Sequence, residues 1–300
     1  MPVSTESHPS PKYRLALATC AAIRGAYPDD AHLVASLLAL GVASEPCIWS
    51  DPTIDWSRFD AVLIRTTWDY FQRYAEFCQW LDRLPVPTIN PAPLLRWNAD
   101  KCYLLALQSQ GVDIIPMRVA PGRELDAVLS QSQGRDVVVK PAVSGGAWHT
   151  VRGVVGAPDF AQAVAALPGE LDYLVQDFVP EIVADGEWSL LFFDGRYSHA
   201  VIKRPARGDY RVQSQHGGSV EALEPTPAMI DSAQRVLSAT AALGYPDIAY
   251  ARVDGVMVDG RFRLMELEVI EPALFLAGRP DAAERFAGNL HRRLSQADRR

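Results

Sequence analysis

Three acids near the C-terminal end of the chain offer the clearest chemistry. Asp254 follows Arg252 and Val253 in one apolar run, and Glu266 and Glu268 flank Leu267 in a second, with Asp259-Gly260 between the runs. Asp-Gly makes a two-residue hairpin turn, because both positions tolerate positive φ. Side chains alternate along a strand, so Glu266 and Glu268 share a face, and the hairpin brings Asp254 towards them across the ladder. Three carboxylates on one face repel one another, and among Leu264, Met265, Leu267, Val269 and Ile270 that repulsion needs compensation. A hard, oxygen-seeking Mg²⁺ that also grips phosphates is a natural partner. For the cluster taken alone, a solvated sheet face with ordinary acids is the alternative.

Four further segments carry candidate groups. Val137-Val138-Val139-Lys140 is an apolar strand ending in a cation, and Ser144-Gly145-Gly146 follows closely. Paired glycines let backbone N–H groups approach a phosphate, Ser144 adds a donor and Lys140 a point charge. This is not the GxxxxGK[ST] loop, and a flexible loop after a strand would read the same way. Lys203, Arg204, Arg207 and Arg211 lead into Gln213, His216 and two glycines. Such a stretch suits a place where a transferring phosphoryl group meets an anionic substrate, or else it is a mobile loop with solvated cations. Gln176-Asp177-Phe178-Val179 ends an apolar strand before Pro180, and its backbone can face an adenine edge. Arg65, Thr67, Trp68, Asp69 and Tyr70 follow another apolar strand. They suit a small zwitterionic or carboxylated ligand, unless Trp68 and Tyr70 pack under the next helix. His149 and His216 are candidate acid–base groups, although a lone histidine also serves structurally. No nucleophile motif is visible.

The elements that must position these groups fall in a clear order. Residues 13–20 read as a buried strand, Asp30 as the cap of a helix ended by Gly41, and 61–65 as a second strand before a helix through Phe71, Tyr74, Cys78 and Leu81. Strand and helix alternate, which predicts a parallel α/β sheet with ligands at the carboxyl ends of its strands. No GxGxxG follows the first strand, which disfavours a dinucleotide fold. Asn90-Pro91-Ala92-Pro93 marks a boundary, and Asn98 is placed to cap a helix over 99–110. A smaller α+β unit follows, with strands near 116–120, 136–141, 150–155 and 173–178 and helices near 124–132 and 159–167. Asp194-Gly195 joins strands 188–193 and 197–203 as a second hairpin. Helices near 228–243 and 282–294 cover this last sheet. The domain division is a disordered tail at 1–12, an N-terminal α/β unit at 13–113, and two lobes at 114–183 and 184–300.

Composition narrows the class. The chain has 300 residues, 48% of them hydrophobic, and a net charge of −7. These values predict a cytoplasmic globular protein without a nucleic-acid face; the C-terminal cations His291, Arg292, Arg293, Arg299 and Arg300 read as a solvated tail. No run approaches the roughly 18 apolar residues of a membrane span. Cys20, Cys47, Cys78 and Cys102 form no CxxC pair and read as free thiols.

Taken in order, these features resemble the ATP-grasp superfamily, and within it the bacterial glutathione synthetase-like ATP-binding domain. Residues 176–189 (QDFVPEIVADGEWS) look like that family's hinge segment and 266–272 (ELEVIEP) like its metal strand. The resemblance covers about residues 98–290 and implies an ATP-grasp fold behind an N-terminal parallel α/β unit. It implies Lys101 and Lys140 on ATP phosphates, Gln176 to Val179 at the adenine and Glu187 near the ribose. Asp254, Glu266 and Glu268 would hold two Mg²⁺ ions. Lys203 and Arg211 would stabilise the phosphoryl group, with Gln213 beside them. Glu268 stands where Asn is common, Glu271 where Ser is common, and Ser144-Gly145-Gly146 is shorter than the usual glycine loop, which argues against glutathione as product. The Arg-x-x-Trp-Asp-Tyr segment at 65–70 is similar to the ATP-grasp ligases of D-cycloserine formation, the O-ureidoserine cyclo-ligases. The resemblance thus implies an ADP-forming ligase that activates the carboxylate of a small amino-acid-like substrate as an acyl-phosphate for C–N bond formation. A small-molecule kinase and a non-catalytic nucleotide-binding protein are the alternatives. Dimers are common in the superfamily, so a homodimer is a candidate assembly.

Overall fold

The computed structural model describes residues 11–23 and 25–298; the expected tail at 1–12 falls almost wholly outside them, as do Arg299 and Arg300. The first unit runs β1 (Tyr13–Thr19), α1 (Ala31–Ala39), β2 (Val42–Ile48), β3 (Ala61–Thr66), α2 (Tyr74–Arg83) and β4 (Thr88–Ile89). Its strands pair in parallel in the order β2-β1-β3-β4, as the alternating pattern predicts. Leu15, Ala16, Val62, Leu63 and Ile64 are all fully buried, because helices and neighbouring units cover both faces. Two details differ from expectation. Asp30 stands at the start of α1 without making a capping bond, because its carboxylate is taken by Arg65. Strand β2 carries Glu45 and Pro46, residues depleted in strands, yet it pairs along its whole length at the sheet edge.

The helix expected at 99–110 is two helices, α3 (Ala92–Ala99) and α4 (Tyr103–Ser109). Asn98 lies inside α3 and caps nothing. Its amide instead donates to Leu267 O at 2.7 Å and accepts from Val269 N at 3.1 Å. The middle unit follows as β5 (Met117–Pro121), α5 (Leu125–Ser130), β6 (Asp136–Pro141), β7 (Val151–Val154), α6 (Pro158–Ala165) and β8 (Asp172–Asp177). Its antiparallel sheet has the order β5-β8-β6-β7. One face packs Val137, Val139, Tyr173 and Val175 against Leu125, Leu129, Phe160 and Val164 of the helices. Alternation therefore turns Lys140 and Gln176 to the opposite face.

The last unit contains α7 (Glu181–Ala184), β9 (Glu187–Phe193), β10 (Arg196–Arg204), β11 (Ser219–Ala222), α8 (Pro227–Ala242), β12 (Tyr250–Val258), β13 (Arg261–Glu268) and α9 (Pro280–Ala297). The strands form an antiparallel sheet, β11-β10-β9-β12-β13. Both Asp-Gly turns adopt the expected left-handed pairs, with φ of 49° and 71° at 194–195 and 51° and 73° at 259–260. Helix α8 covers one face, and α9 covers part of the other, where it shares a core with β1 and α1 through Leu191, Phe193, Tyr250, Phe286, Leu15 and Leu33. The rest of that second face is open and bears the acids. The four cysteines are free thiols.

Candidate active site

The carboxylates meet as the hairpin dictates. Asp254 is the direct partner of Glu266 in the β12–β13 ladder, and Arg252 is the partner of Glu268. One oxygen from each of Asp254, Glu266 and Glu268 lies within 4.8 Å of the others. Asp254 is fully buried, whereas the Glu266 and Glu268 side chains are 30% and 25% exposed. This donor set fits Mg²⁺: three hard oxygens on one face, open on the side where phosphates would arrive.

Cations of the chain itself balance these acids. Arg252 holds Asp254 with a two-pronged pair at 2.9–3.0 Å and reaches Glu268 at 2.5 Å. Lys203 lies 3.5 Å from Asp254 and also pairs with Glu187, and Lys101 lies 3.2 Å from Glu266 and donates to the Ser144 carbonyl. Ser189 completes the shell, donating to Asp254 at 2.5 Å. Burial raises the carboxyl pKa of each acid, but Arg252 and Lys203 bring Asp254 below its ordinary value, and Lys101 and Lys140 do so for Glu266. Glu268 goes the other way: burial, opposed by Arg252 and reinforced by Glu266 and Asp254, pushes it up to about 7. Burial also holds Glu271 well above the carboxylate range, with Glu268 adding to it. Arg252 is the member of the cluster that reading for acids missed. The signal was present, since a residue two before Asp254 on a strand must share its face.

Opposite this face stands the middle sheet. Lys140 ends β6 in the field of Glu266 and Lys101, its pKa lowered mainly by burial. The loop after it brings Ser144, Gly145 and Gly146 over the cleft, with the Ser144 hydroxyl donating to Pro141 O at 2.9 Å. The Gln176 side chain is 3% exposed, and its Nε2 is buried without a partner among the described residues. The hinge is narrower than its sequence implies. The Asp177 and Phe178 N–H groups are spent on the Pro116 and Asp136 carbonyls, and the Asp177 carboxylate pairs with Arg135. The Phe178 ring lies under Arg152. On this segment the backbone donor left for an adenine edge is Val179 N–H.

The loop after β10 is brought to the cleft only in part. Arg211 pairs with Asp209 beside it at 2.7 Å rather than with the acids. Gln213 Oε1 and His216 Nε2 are buried without partners among the described residues. His149 lies on the glycine loop with φ of 49° and an exposed side chain.

The N-terminal candidates divide into two groups. Arg65 is not free to hold a substrate: it is 2% exposed, with Nε and Nη2 on Asp30 and Nη1 on Pro272 O. Tyr70 is buried in an aromatic core with Phe77, and Asp69 accepts from Trp49 Nε1 at 2.7 Å. Arg65 and Asp69 are engaged by the fold, while the Tyr70 hydroxyl, its pKa raised by burial, lies in the field of Glu271, Glu266 and Glu268. Trp68 donates to Glu271 O at 3.1 Å, and Thr67 Oγ1 is buried without a partner among the described residues. Glu271, Trp68 and Thr67 therefore gather just beyond the end of β13.

Comparison with known proteins bears on this arrangement. Residues 15–90 match the family model described as the N-terminal domain of D-cycloserine synthetase DcsG. The cycloserine biosynthesis protein DcsG of Streptomyces lavendulae is 33% identical over 283 residues, covering 89% of this chain and 94% of that protein. This chain belongs to the DcsG family of ATP-grasp ligases. The crystal structure of D-cycloserine synthetase DcsG superposes with a TM-score of 0.83 at 34% identity, covering 94% of this chain and 99% of that one. An ATP-grasp RimK domain protein from Sphaerobacter thermophilus shares the fold at a TM-score of 0.67 and 20% identity, over 92% of this chain and 98% of its own. As a member of the DcsG family the chain is an ATP-dependent, ADP-forming ligase that makes carbon–nitrogen bonds. Membership decides against the kinase and the non-catalytic binder. Mg²⁺ is typical of the family, and no helix among the described residues is long and apolar enough to cross a membrane.

Proposed function

We propose that this chain is a cyclising ligase acting on a small amino-acid-like substrate of the O-ureidoserine type. The observation that carries the reading is the cluster of Asp254, Glu266 and Glu268 with Arg252, Lys203 and Lys101, in a chain alike along its length to a D-cycloserine synthetase. The substrate carboxylate attacks the γ-phosphorus of ATP, and the bond to the β–γ bridging oxygen breaks, so ADP leaves with that electron pair. A nitrogen of the same molecule then attacks the acyl carbon, loses its proton, and phosphate departs. Such chemistry asks for positioning and charge neutralisation rather than a protein nucleophile.

Each residue has a part in this reading. Lys101 and Lys140 take phosphate oxygens under the loop of Ser144, Gly145 and Gly146. Gln176 and the Val179 backbone hold the adenine edge, flanked by Asp177 and Phe178, and Glu187 turns from Lys203 to the ribose. Asp254, Glu266 and Glu268 hold two Mg²⁺ ions, which screen phosphate charge when bound. Lys203 neutralises the transferring group, joined by Arg211 once it leaves Asp209. Gln213 accepts a hydrogen bond from the attacking nitrogen and His216 takes its proton. Glu271, its carboxyl pKa raised by burial, meets the substrate beside Thr67 and Trp68, while Arg65, Asp69 and Tyr70 fix that loop. Dependence on ATP supports a cytoplasmic location. The domain division at 113 and 183 and a homodimeric assembly belong to the same proposal, and limited proteolysis and sedimentation test them.

The test supplies Mg-ATP with O-ureidoserine and follows ADP, phosphate and the cyclic product by mass spectrometry. ADP and phosphate formed with the ring product are expected. AMP with pyrophosphate, or a stable phosphorylated substrate, overturns the reading.

A further inference from the structure

Phe71 sits where two loops from different units touch. It follows Tyr70 directly, and its ring meets the Tyr70 ring edge-on at 5.8 Å, so it is the outer member of the aromatic core beneath β3. Its outer side faces the glycine loop. A Cβ placed on Gly145 would lie 2.7 and 2.9 Å from Phe71 Cε1 and Cδ1, so the loop backbone rests on the ring and any side chain there would have to displace it. Trp148, at the far end of the loop, packs on the same ring with centroids 5.6 Å apart, and the His149 ring packs on Trp148 in turn at 4.2 Å.

The loop held in this way is under strain. Ala147 and His149 have φ of 63° and 49°, in the left-handed region that side chains with a Cβ avoid. Strain of this kind persists only when surrounding contacts impose it. Beyond Phe71, the contact from the third unit is a long hydrogen bond, Gln215 Nε2 to Gly146 O at 3.4 Å. The opposite end of the Phe71 segment is fixed as well, because Trp68 donates to the carbonyl of Glu271, three residues beyond the acid Glu268. A stretch of four residues, 68–71, therefore touches the end of the metal strand with one side chain and the phosphate loop with another.

We propose that Phe71 is a positioning residue that clasps the glycine loop closed and couples occupation of the substrate end of the cleft to the grip on the ATP phosphates. The coupling rests on the reading of 144–146 as the phosphate loop; the clasp itself is geometry. A ligand that orders Thr67 and Trp68 stabilises Phe71 against Gly145, and nucleotide binding orders the same contact from the other side. Each ligand then binds a cleft the other has already ordered.

Hydrogen exchange in the full chain tests this, read at 144–150 with and without Mg-AMPPNP. The loop's own turns, Trp148 N–H to Gly145 O and Thr150 N–H to Ala147 O, supply the reporting amides. Phe71→Ala is expected to speed exchange across 144–150 while leaving β6 and β8 unchanged, and to weaken AMPPNP by about tenfold. Phe71→Leu, which keeps an apolar rest, is expected to recover most of both. Trp148→Ala should reproduce the Phe71→Ala effects, with the double variant no worse than either alone. Unchanged exchange at 144–150 in Phe71→Ala, or additive effects of the pair, overturns the clasp. If exchange responds as stated but AMPPNP affinity does not, the clasp stands and the assignment of the loop to phosphates fails.

Discussion

Among the described residues there are two buried arginine–aspartate pairs, and they serve opposite ends. Arg65 and Asp30 form a closed pair: both are nearly inaccessible, all three guanidinium nitrogens are engaged by one carboxylate and one carbonyl, and the pair sits where a strand end meets Pro272. Arg252 and Asp254 form an open one. Each also touches a further charge, Glu268 on one side and Lys203 on the other, and the network continues to Glu187 on the same sheet. A closed pair holds chain segments in register, and removing one partner leaves a charge stranded. An open network can exchange partners, as the proposed ATP site would require. Arginine after an apolar strand suggested a ligand contact at Arg65; the count of partners, invisible in sequence, reverses that reading.

The largest effect should come from the open network. Glu266→Gln is expected to lower ADP release by roughly 100-fold or more with the circular dichroism spectrum unchanged; near-normal turnover would remove the acids from the site. Next is the closed pair. Arg65→Met should cost on the order of 3 kcal/mol in urea unfolding, and Asp30→Leu added to it should restore much of that loss. If Arg65→Met kept full stability while losing substrate affinity, Arg65 would be a ligand contact after all and the contrast between the pairs would collapse. Asn98→Ala should cost on the order of 1 kcal/mol, since it leaves the buried Val269 N–H without its acceptor while the Leu267 carbonyl keeps Tyr103 OH, read as a lower thermal midpoint.

The smallest effect is a pH dependence. Glu268 is held at about 7 against an ordinary 4.5. Between those values the folded chain keeps a proton that the unfolded chain has lost. This contribution to stability is complete below about 4.5 and is lost as the pH rises through about 7. In chelator, unfolding of the natural chain should therefore weaken by on the order of 1 kcal/mol over that range relative to Glu268→Gln. A parallel pair of curves would mean that Arg252 keeps Glu268 ionised throughout.

Local signals carried most of the fold. The Asp-Gly turns, the strand ending at Lys140 and the Glu-x-Glu strand each depend on neighbours a few residues away, and each stands where expected. The failures involve partners far along the chain. Asp30 resembles a cap until Arg65 claims it, and Asn98 resembles a cap until strand β13 arrives 169 residues later. Edge strands β2 and β11 carry too little apolar pattern to announce themselves; every residue of β11 is exposed. In the site, the acids and Lys140 were legible by type, whereas Arg252 and Phe71 matter through what lies opposite them.

The shared core of β1, α1, β9, β12 and α9 has one more consequence. Tyr250 OH bonds to the carbonyls of Ile64 and Ile270, and Asn90 Nδ2 bonds to those of Tyr250 and Val269, so the first and last thirds of the chain are sewn together. The middle sheet has its own separate core. The acids on β12 and β13 and the loop after β3 are therefore held in one body, joined through Tyr250 and Asn90. Substitutions at the root of the middle third, where Ile115 N–H bonds to Leu264 O, are therefore expected to change turnover without touching a reacting atom.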